Sequence, residues 1–179
     1  MNVRRLLLFL PVVVAIVLGL FLWKGLSMDP RELPSALIGK PFPEFSIASL
    51  QDPERKLTRA DLVGKPALVN VWATWCPACK VEHPQLMSIA RREGIPIYGI
   101  NYKDDRAAAQ TWLRSYQNPY QFNIFDEKGS LGFDLGVYGA PETYILDAKG
   151  VIRYRLAGPI DIRVWEEMRA IIHSLQKES

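Results

Sequence analysis

Cysteine and histidine are scarce in this chain: 179 residues contain two of each. The cysteines, Cys76 and Cys79, lie three residues apart, whereas a disulfide-stapled secreted domain spreads its cysteines along the chain. A structural zinc site needs four ligands. Only His83, four residues beyond Cys79, and the distant His173 are available to add to the pair, so no metal is expected. Charge of one sign is lacking outside the N-terminus. The net charge of +3 is accounted for by Arg4, Arg5 and Lys24, in a stretch of 24 residues with no Asp or Glu, and the rest of the chain balances 19 basic against 19 acidic residues. That balance argues against a nucleic-acid-binding face. There is no internal repeat and no low-complexity tract. The length suits one domain with an appendage, and an apolar content of 49% suffices for a packed core.

The appendage is N-terminal. Leu6 to Trp23 is an apolar run of 18 residues without a charge, which as a helix rising ~1.5 Å per residue approaches the thickness of a bilayer. Arg4 and Arg5 precede it, so residues 1–5 are expected in the cytoplasm and the body on the far side. Trp23 suits an interface, and Pro11 is tolerable inside a membrane helix, which it would bend. A cleaved signal peptide has a shorter apolar core followed by a small-residue site, and Trp-Lys-Gly-Leu-Ser-Met at 23–28 is a poor one. A buried core helix would show a polar face. The expected organisation is a transmembrane anchor at 6–23, a tether at 24–37 punctuated by Pro30 and Pro34, and one domain at 38–179.

Within the domain, Pro41 and Pro43 mark an extended lead-in. Phe45, Ile47 and Leu50 suggest a short strand with a hairpin partner at Leu57, and Arg59 to Val63 one helical turn ended by Gly64. Ala67 to Trp72 is dense enough to be a buried strand. A helix is expected from near Cys76 to Glu93, with Gly94 at its C-cap and a bend at Pro84. Pro96 to Ile100 predicts a second buried strand. Ala107 to Tyr116 predicts a helix capped by Asp104 or Asp105, and Ser130 to Leu135 a short one. Thr143 to Leu146 and Val151 to Leu156 flank Asp-Ala-Lys-Gly, a hairpin signal. Trp165 to Leu175 closes the chain as an amphipathic helix. The order β–α–β–α–(α)–β–β–α predicts an α/β fold, a mixed sheet with helices on both faces.

The chemistry is concentrated in Trp75-Cys76-Pro77-Ala78-Cys79. Cys76 falls where a strand gives way to a helix, so its sulfur meets free backbone N–H groups that stabilise a thiolate. Cys79, about one turn on, comes within disulfide reach. Cys76, its sulfur exposed at the helix start, is the expected attacking thiol, and Cys79 the resolving one. Pro77 fits the first turn, where its missing N–H is not needed. An inert staple across so short a loop would add little stability, which leaves redox chemistry as the purpose of the pair.

Three segments carry a resemblance: Val-Trp-Ala-Thr-Trp-Cys-Pro-Ala-Cys at 71–79, Glu82-His83-Pro84, and Gly-Val-Tyr-Gly-Ala-Pro-Glu-Thr at 136–143. The chain resembles the thioredoxin superfamily and, more narrowly, the thiol:disulfide interchange proteins of cytochrome c maturation (the CcmG/DsbE group). The resemblance implies a thioredoxin-like domain anchored by a single pass in a bacterial inner membrane and facing the periplasm. It implies a protein disulfide reductase with no cofactor beyond the cysteine pair. The implied partners are a membrane thiol electron donor of the DsbD/CcdA kind and apocytochrome c or its maturation partner. By the same resemblance Pro141 is a cis-proline facing the disulfide, and backbone beside it, at Ala140, pairs with the substrate. Trp75, Tyr138 and Glu142 line the groove, the last with a charge that favours basic partners, and Glu82 helps set thiol reactivity. The buried acid that thioredoxin has six residues before its first cysteine is Asn70 here, which makes Glu82 the candidate acceptor for the Cys79 proton. A second departure is Ala-Gly-Pro at 157–159, where relatives often have an acid after the glycine.

Other readings stand beside these. Trp72 and Trp75 are either core or site residues, and His83 reads as structural. Within the same chemistry the alternatives are a reductase with a broader or different client, or an oxidase, since the direction of exchange is set by redox potential. A peroxidase of the peroxiredoxin kind has Pro-x-x-x-Thr/Ser-x-x-Cys, whose matching positions here are Val69 and Ala73. A non-catalytic module that holds apocytochrome c in its groove would work without either cysteine.

Overall fold

The structure, a computed structural model, describes residues 3–26 and 36–178, with side chains of the first stretch described from Pro11 to Trp23. The two stretches belong to separate units. The first is one helix, α1 (Val3–Leu26), which runs through Pro11; its large apolar side chains from Val12 to Trp23 are exposed. Among the described residues no helix is long and apolar enough to cross a membrane. Of the expected tether at 24–37, residues 24–26 belong to α1 and residues 27–35 lie outside the described residues.

The second unit is built on the strand Ala67–Trp72. All six of its side chains are buried, and the two-residue period of a strand divides them between two cores. Ala67, Val69 and Val71 join one core. Leu68 and Trp72 join the other, and Asn70 points the same way as these two. Naming elements in chain order, β1 is Ser46–Ala48, β2 Lys56–Thr58, β3 Ala67–Trp72, α2 Pro77–Ser88, β4 Ile97–Tyr102 and α3 Arg106–Tyr116. They are followed by β5 Phe122–Asp126, α4 Ser130–Asp134, β6 Glu142–Leu146, β7 Ile152–Ala157 and α5 Ile162–Glu178. One sheet has the order β5-β4-β3-β6-β7, and β1 pairs with β2 separately. Strands β3, β4 and β5 run parallel, while β6 is antiparallel to both β3 and β7.

Side chains from α2, α3 and α5 fill the Trp72 core. Trp165, Met168 and Ile172 of α5 are buried there, each contributing ~1.5–3 kcal/mol by burial. Packing of this stripe, rather than intrinsic propensity, holds the terminal helix. Leu57, Leu62, Leu131 and Leu135 cover the opposite face. The fold is thus a mixed sheet flanked by helices, with the longer helices on one side.

Most predicted elements appear within one or two residues of their expected ends. The Asp147–Gly150 turn forms as expected, with Asp147 Oδ1 accepting from the N–H groups of Lys149 and Val151, both at 2.9 Å. The cap of α3 is Asp105, which accepts from Ala108 N–H at 2.8 Å. Helix α2 runs through Pro84 and passes into a wider π turn at Ile89–Glu93 before Gly94 ends it. The expected order β–α–β–α–(α)–β–β–α lacks one strand, the edge strand β5 (Phe122–Asp126) between α3 and α4. Its inward Asn123 and Asp126 obscured the apolar signal, yet both are buried for a reason. Asn123 Oδ1 accepts from Trp72 Nε1 at 2.9 Å, and Asp126 accepts from the N–H of Gly132 at 2.8 Å. Gly99 on β4, between Trp72 and Asn123, leaves the space for their bond: a Cβ there would lie 2.0 Å from Asn123 Oδ1 and 2.9 Å from Trp72 Nε1.

Candidate active site

The chain leaves the C-terminal end of β3 through a braced turn. Thr74 donates to the Asp104 carboxylate twice, from its N–H at 2.6 Å and from its hydroxyl at 2.5 Å. Asn101 Nδ2 donates to the same carboxylate at 2.9 Å. Trp75 Nε1 donates to the carbonyl of Lys103 at 3.0 Å, so its ring is pinned although 52% exposed. Trp72 is core and Trp75 is surface, which separates the two tryptophans the sequence left undecided. Asp104 escaped the sequence reading because it served there only as a possible helix cap.

Cys76 is the N-cap of α2 and Pro77 opens the helix. The two cysteines form a disulfide with their Cα atoms 5.4 Å apart, and Cys76 Sγ accepts from Cys79 N–H at 3.1 Å. In this oxidised form both are buried, Cys76 at 3% and Cys79 at 2% exposure, so exposure does not single out Cys76 as expected. The difference between them is positional. Only Cys76 precedes the free N–H groups of the first turn, where a thiolate is stabilised.

Glu82 lies three residues after Cys79, on the same face of α2, and is 1% exposed. Its Oε1 accepts from Asn70 Nδ2 at 3.0 Å and its Oε2 from Ile160 N–H at 3.0 Å. Asn70 also donates to Thr143 Oγ1 at 3.0 Å and accepts from the Tyr120 hydroxyl at 2.8 Å. Burial pushes the Glu82 pKa up from 4.5 to about 7, against the lowering effect of its two hydrogen bonds. A carboxyl poised there both takes and returns a proton at neutral pH. Burial also raises the Tyr120 pKa well above its ordinary value, with Glu82 adding to the effect, so the phenol remains a donor to Asn70. Tyr120 had no motif to mark it in the sequence, and Thr143, the last residue of the 136–143 motif, was not singled out as a site residue.

The Ala140–Pro141 peptide is cis. Because Glu142 pairs with Val71, Pro141 lies at the end of β3 from which the chain leads to Cys76. The carbonyl of Pro141 accepts from Gly158 N–H at 2.9 Å. Two residues further, Ile160 binds Glu82, so the segment 158–160 ties the proline loop to the cysteine helix. Ala140 is half-buried and packs against the core that holds both cysteines. Tyr138 is 83% exposed.

Glu142 differs from expectation. Its carboxylate, 2% exposed, does not present charge to a groove but forms an ion pair with Arg155 at 2.8 Å. Oε2 also accepts from the Tyr144 hydroxyl at 3.0 Å, and Oε1 from Tyr138 N–H at 2.9 Å. The sequence reading omitted Arg155. A register argument would have found it: Arg155 pairs with Tyr144 on the neighbouring strand, two residues from Glu142 and within diagonal reach of it. His83 is 5% exposed; its Nε2 lies 3.0 Å from the Tyr116 carbonyl and 3.1 Å from that of Gln117, and its ring sits edge-on to Trp112. Burial lowers its pKa.

The family model described as Redoxin matches residues 37–169. A thiol:disulfide interchange protein DsbE of Pseudomonas aeruginosa is 57% identical over 170 residues, 95% of this chain and 94% of its own length. The chain belongs to the redoxin family, in its DsbE group. The DsbE of Escherichia coli K12 is 47% identical over 171 residues, covering 92% of this chain and 91% of its own. Among solved structures, a thio-disulfide isomerase from Thermus thermophilus is 25% identical with a TM-score of 0.62, covering 75% of this chain and 96% of that one. A secreted Mycobacterium tuberculosis disulfide oxidoreductase shares the fold, with a TM-score of 0.61 over 73% of this chain and 95% of its own. The family, together with the Cys76–Cys79 pair, makes this protein a thiol–disulfide oxidoreductase.

Proposed function

We propose that this DsbE-type protein is a periplasmic, membrane-anchored reductase of apocytochrome c, or of a partner that handles it, during cytochrome c maturation. The observation that carries the reading is the buried Glu82 carboxyl one turn from Cys79, with its pKa raised by burial to about 7. In the reduced protein the Cys76 thiolate attacks a client disulfide, forming a mixed disulfide and releasing one client thiolate. Glu82 then accepts the Cys79 proton. The Cys79 thiolate attacks Cys76 Sγ, expels the second client sulfur and closes the Cys76–Cys79 disulfide. The client gains two electrons and this protein loses them, and the proton held by Glu82 passes to a released client sulfur. A membrane thiol donor of the DsbD/CcdA kind returns the pair to the reduced state.

An extended client segment pairs with backbone at Ala140 beside the cis-proline, by strand addition, between Trp75 and Tyr138. The reduced client is a C-x-x-C-H haem-attachment segment. Incubating the reduced protein with an oxidised peptide of that pattern and following free thiols by chromatography tests this; reduction no faster than that of insulin disulfides would point to another client. The anchor reading rests on the 18-residue apolar run from Leu6 to Trp23 behind Arg4 and Arg5. A membrane-impermeant thiol reagent applied to reduced spheroplasts should label the cysteines, and labelling only after lysis would reverse the topology.

A further inference from the structure

We propose that Arg155 is a positioning residue of the client groove, fastening the loop 136–142 from beneath so that the backbone around the cis-proline is set before a client arrives. The inference rests on the groove reading above. Arg155 lies on β7 with its side chain 5% exposed. Its Nη2 donates to the Gly136 carbonyl at 2.6 Å and to Glu142 Oε2 at 2.8 Å, and its Nε donates to the same oxygen at 3.0 Å. One guanidinium therefore holds both ends of a seven-residue segment. The middle is held through Glu142, whose other oxygen takes the Tyr138 N–H. The guanidinium also lies 5.4 Å from the Tyr138 ring centre and 5.8 Å from that of Tyr144, within range of a cation–π attraction.

A buried cation needs a partner, and Glu142 alone would satisfy that need. The bond to Gly136 O and the aromatic contacts go beyond it, and a planar fork makes them together where an ammonium cannot. The loop contains Gly136 and Gly139 and has little stiffness of its own, so its shape is imposed from β7. Tyr138, exposed as it is, stands by a buried charge that steadies its ring. A loop ordered in advance reduces the entropy lost on binding a client, which is how a residue hidden from the client affects its affinity while leaving the cysteines alone.

Two full-length variants test this. Arg155→Lys keeps the charge beside Glu142 but loses the fork. The double variant Arg155→Met with Glu142→Gln removes the pair without leaving a buried charge unpaired. Each is assayed in reduced form against an oxidised C-x-x-C-H peptide and against bis(2-hydroxyethyl) disulfide, which is too small to need the groove. Amide hydrogen exchange at Tyr138 is followed alongside. In both variants the KM for the peptide should rise at least fivefold, with the rate on the small disulfide within twofold of wild type and Tyr138 exchange at least tenfold faster. A wild-type KM in Arg155→Lys, parallel losses on both substrates, or an unchanged Tyr138 exchange rate would each overturn the proposal. Failure of the groove reading is distinguishable: the wild-type protein would then show no preference for the peptide, while Tyr138 exchange would still report on the hold of Arg155.

Discussion

Replacing Glu82 by Gln tests whether the buried acid ionises in the folded protein. Its pKa rises from 4.5 to about 7 on folding, so between those values the folded protein keeps a proton that the unfolded chain has released. Stability therefore falls as pH rises through this window and levels off above it, a loss of about 3 kcal/mol in all. For a domain of this size that corresponds to roughly 10 °C in melting temperature. The Gln variant cannot ionise and lacks this loss. Its single oxygen serves only one of the two donors, Asn70 Nδ2 and Ile160 N–H, so at pH 5 it should be less stable than wild type by about 1–3 kcal/mol. The two stabilities should converge or cross by pH 8. His83 acts in the opposite sense, because burial lowers its pKa from 6.5 and its contribution grows as pH rises; it is present in both proteins and drops out of the difference. Urea unfolding of the oxidised proteins at pH 5 and pH 8, where no thiol titrates, gives that difference directly. A change of less than about 1 kcal/mol between the two pH values would refute the raised pKa and remove Glu82 as the Cys79 proton acceptor.

Asp104→Asn should lower stability by about 2 kcal/mol, since its carboxylate takes both donors of Thr74 and the Asn101 amide and charged hydrogen bonds are worth ~1.5–3 kcal/mol each. Trp75 fluorescence should shift with it, and an unchanged spectrum and stability would mean that the brace is idle. Gly99→Ala should cost about 1–3 kcal/mol, because its Cβ meets Asn123 Oδ1 and the Trp72 indole N–H; an urea midpoint equal to wild type would show that the two side chains move aside freely.

The parts of this fold legible in the sequence are those whose signal is local. A dense apolar run marked β3, an acidic cap marked the start of α3, an amphipathic pattern marked α5, and the Asp-Ala-Lys-Gly turn marked the hairpin. Strand β5 was missed because Asn123 and Asp126, polar in the sequence, are buried by bonds to Trp72 and to Gly132, residues remote or invisible in a local window. The site divides in the same way. The cysteine pair is a spacing of three residues, but the partners of Glu82 come from β3 and from the segment after β7, 12 and 78 positions away. For Glu142 the family resemblance points to a charge that lines the groove. Only the register of β6 against β7 brings Arg155 beneath it and reverses that expectation.

The central claim is that Cys76 attacks and Cys79 resolves, and the most direct measurement is to trap the intermediate. A Cys79→Ser variant, reduced and mixed with an oxidised C-x-x-C-H peptide at pH 7, should accumulate a mixed disulfide that peptide mapping places on Cys76, whereas Cys76→Ser should accumulate little. Equal or greater adduct on Cys79 in the Cys76→Ser variant, or none on Cys76 in Cys79→Ser, would contradict the account.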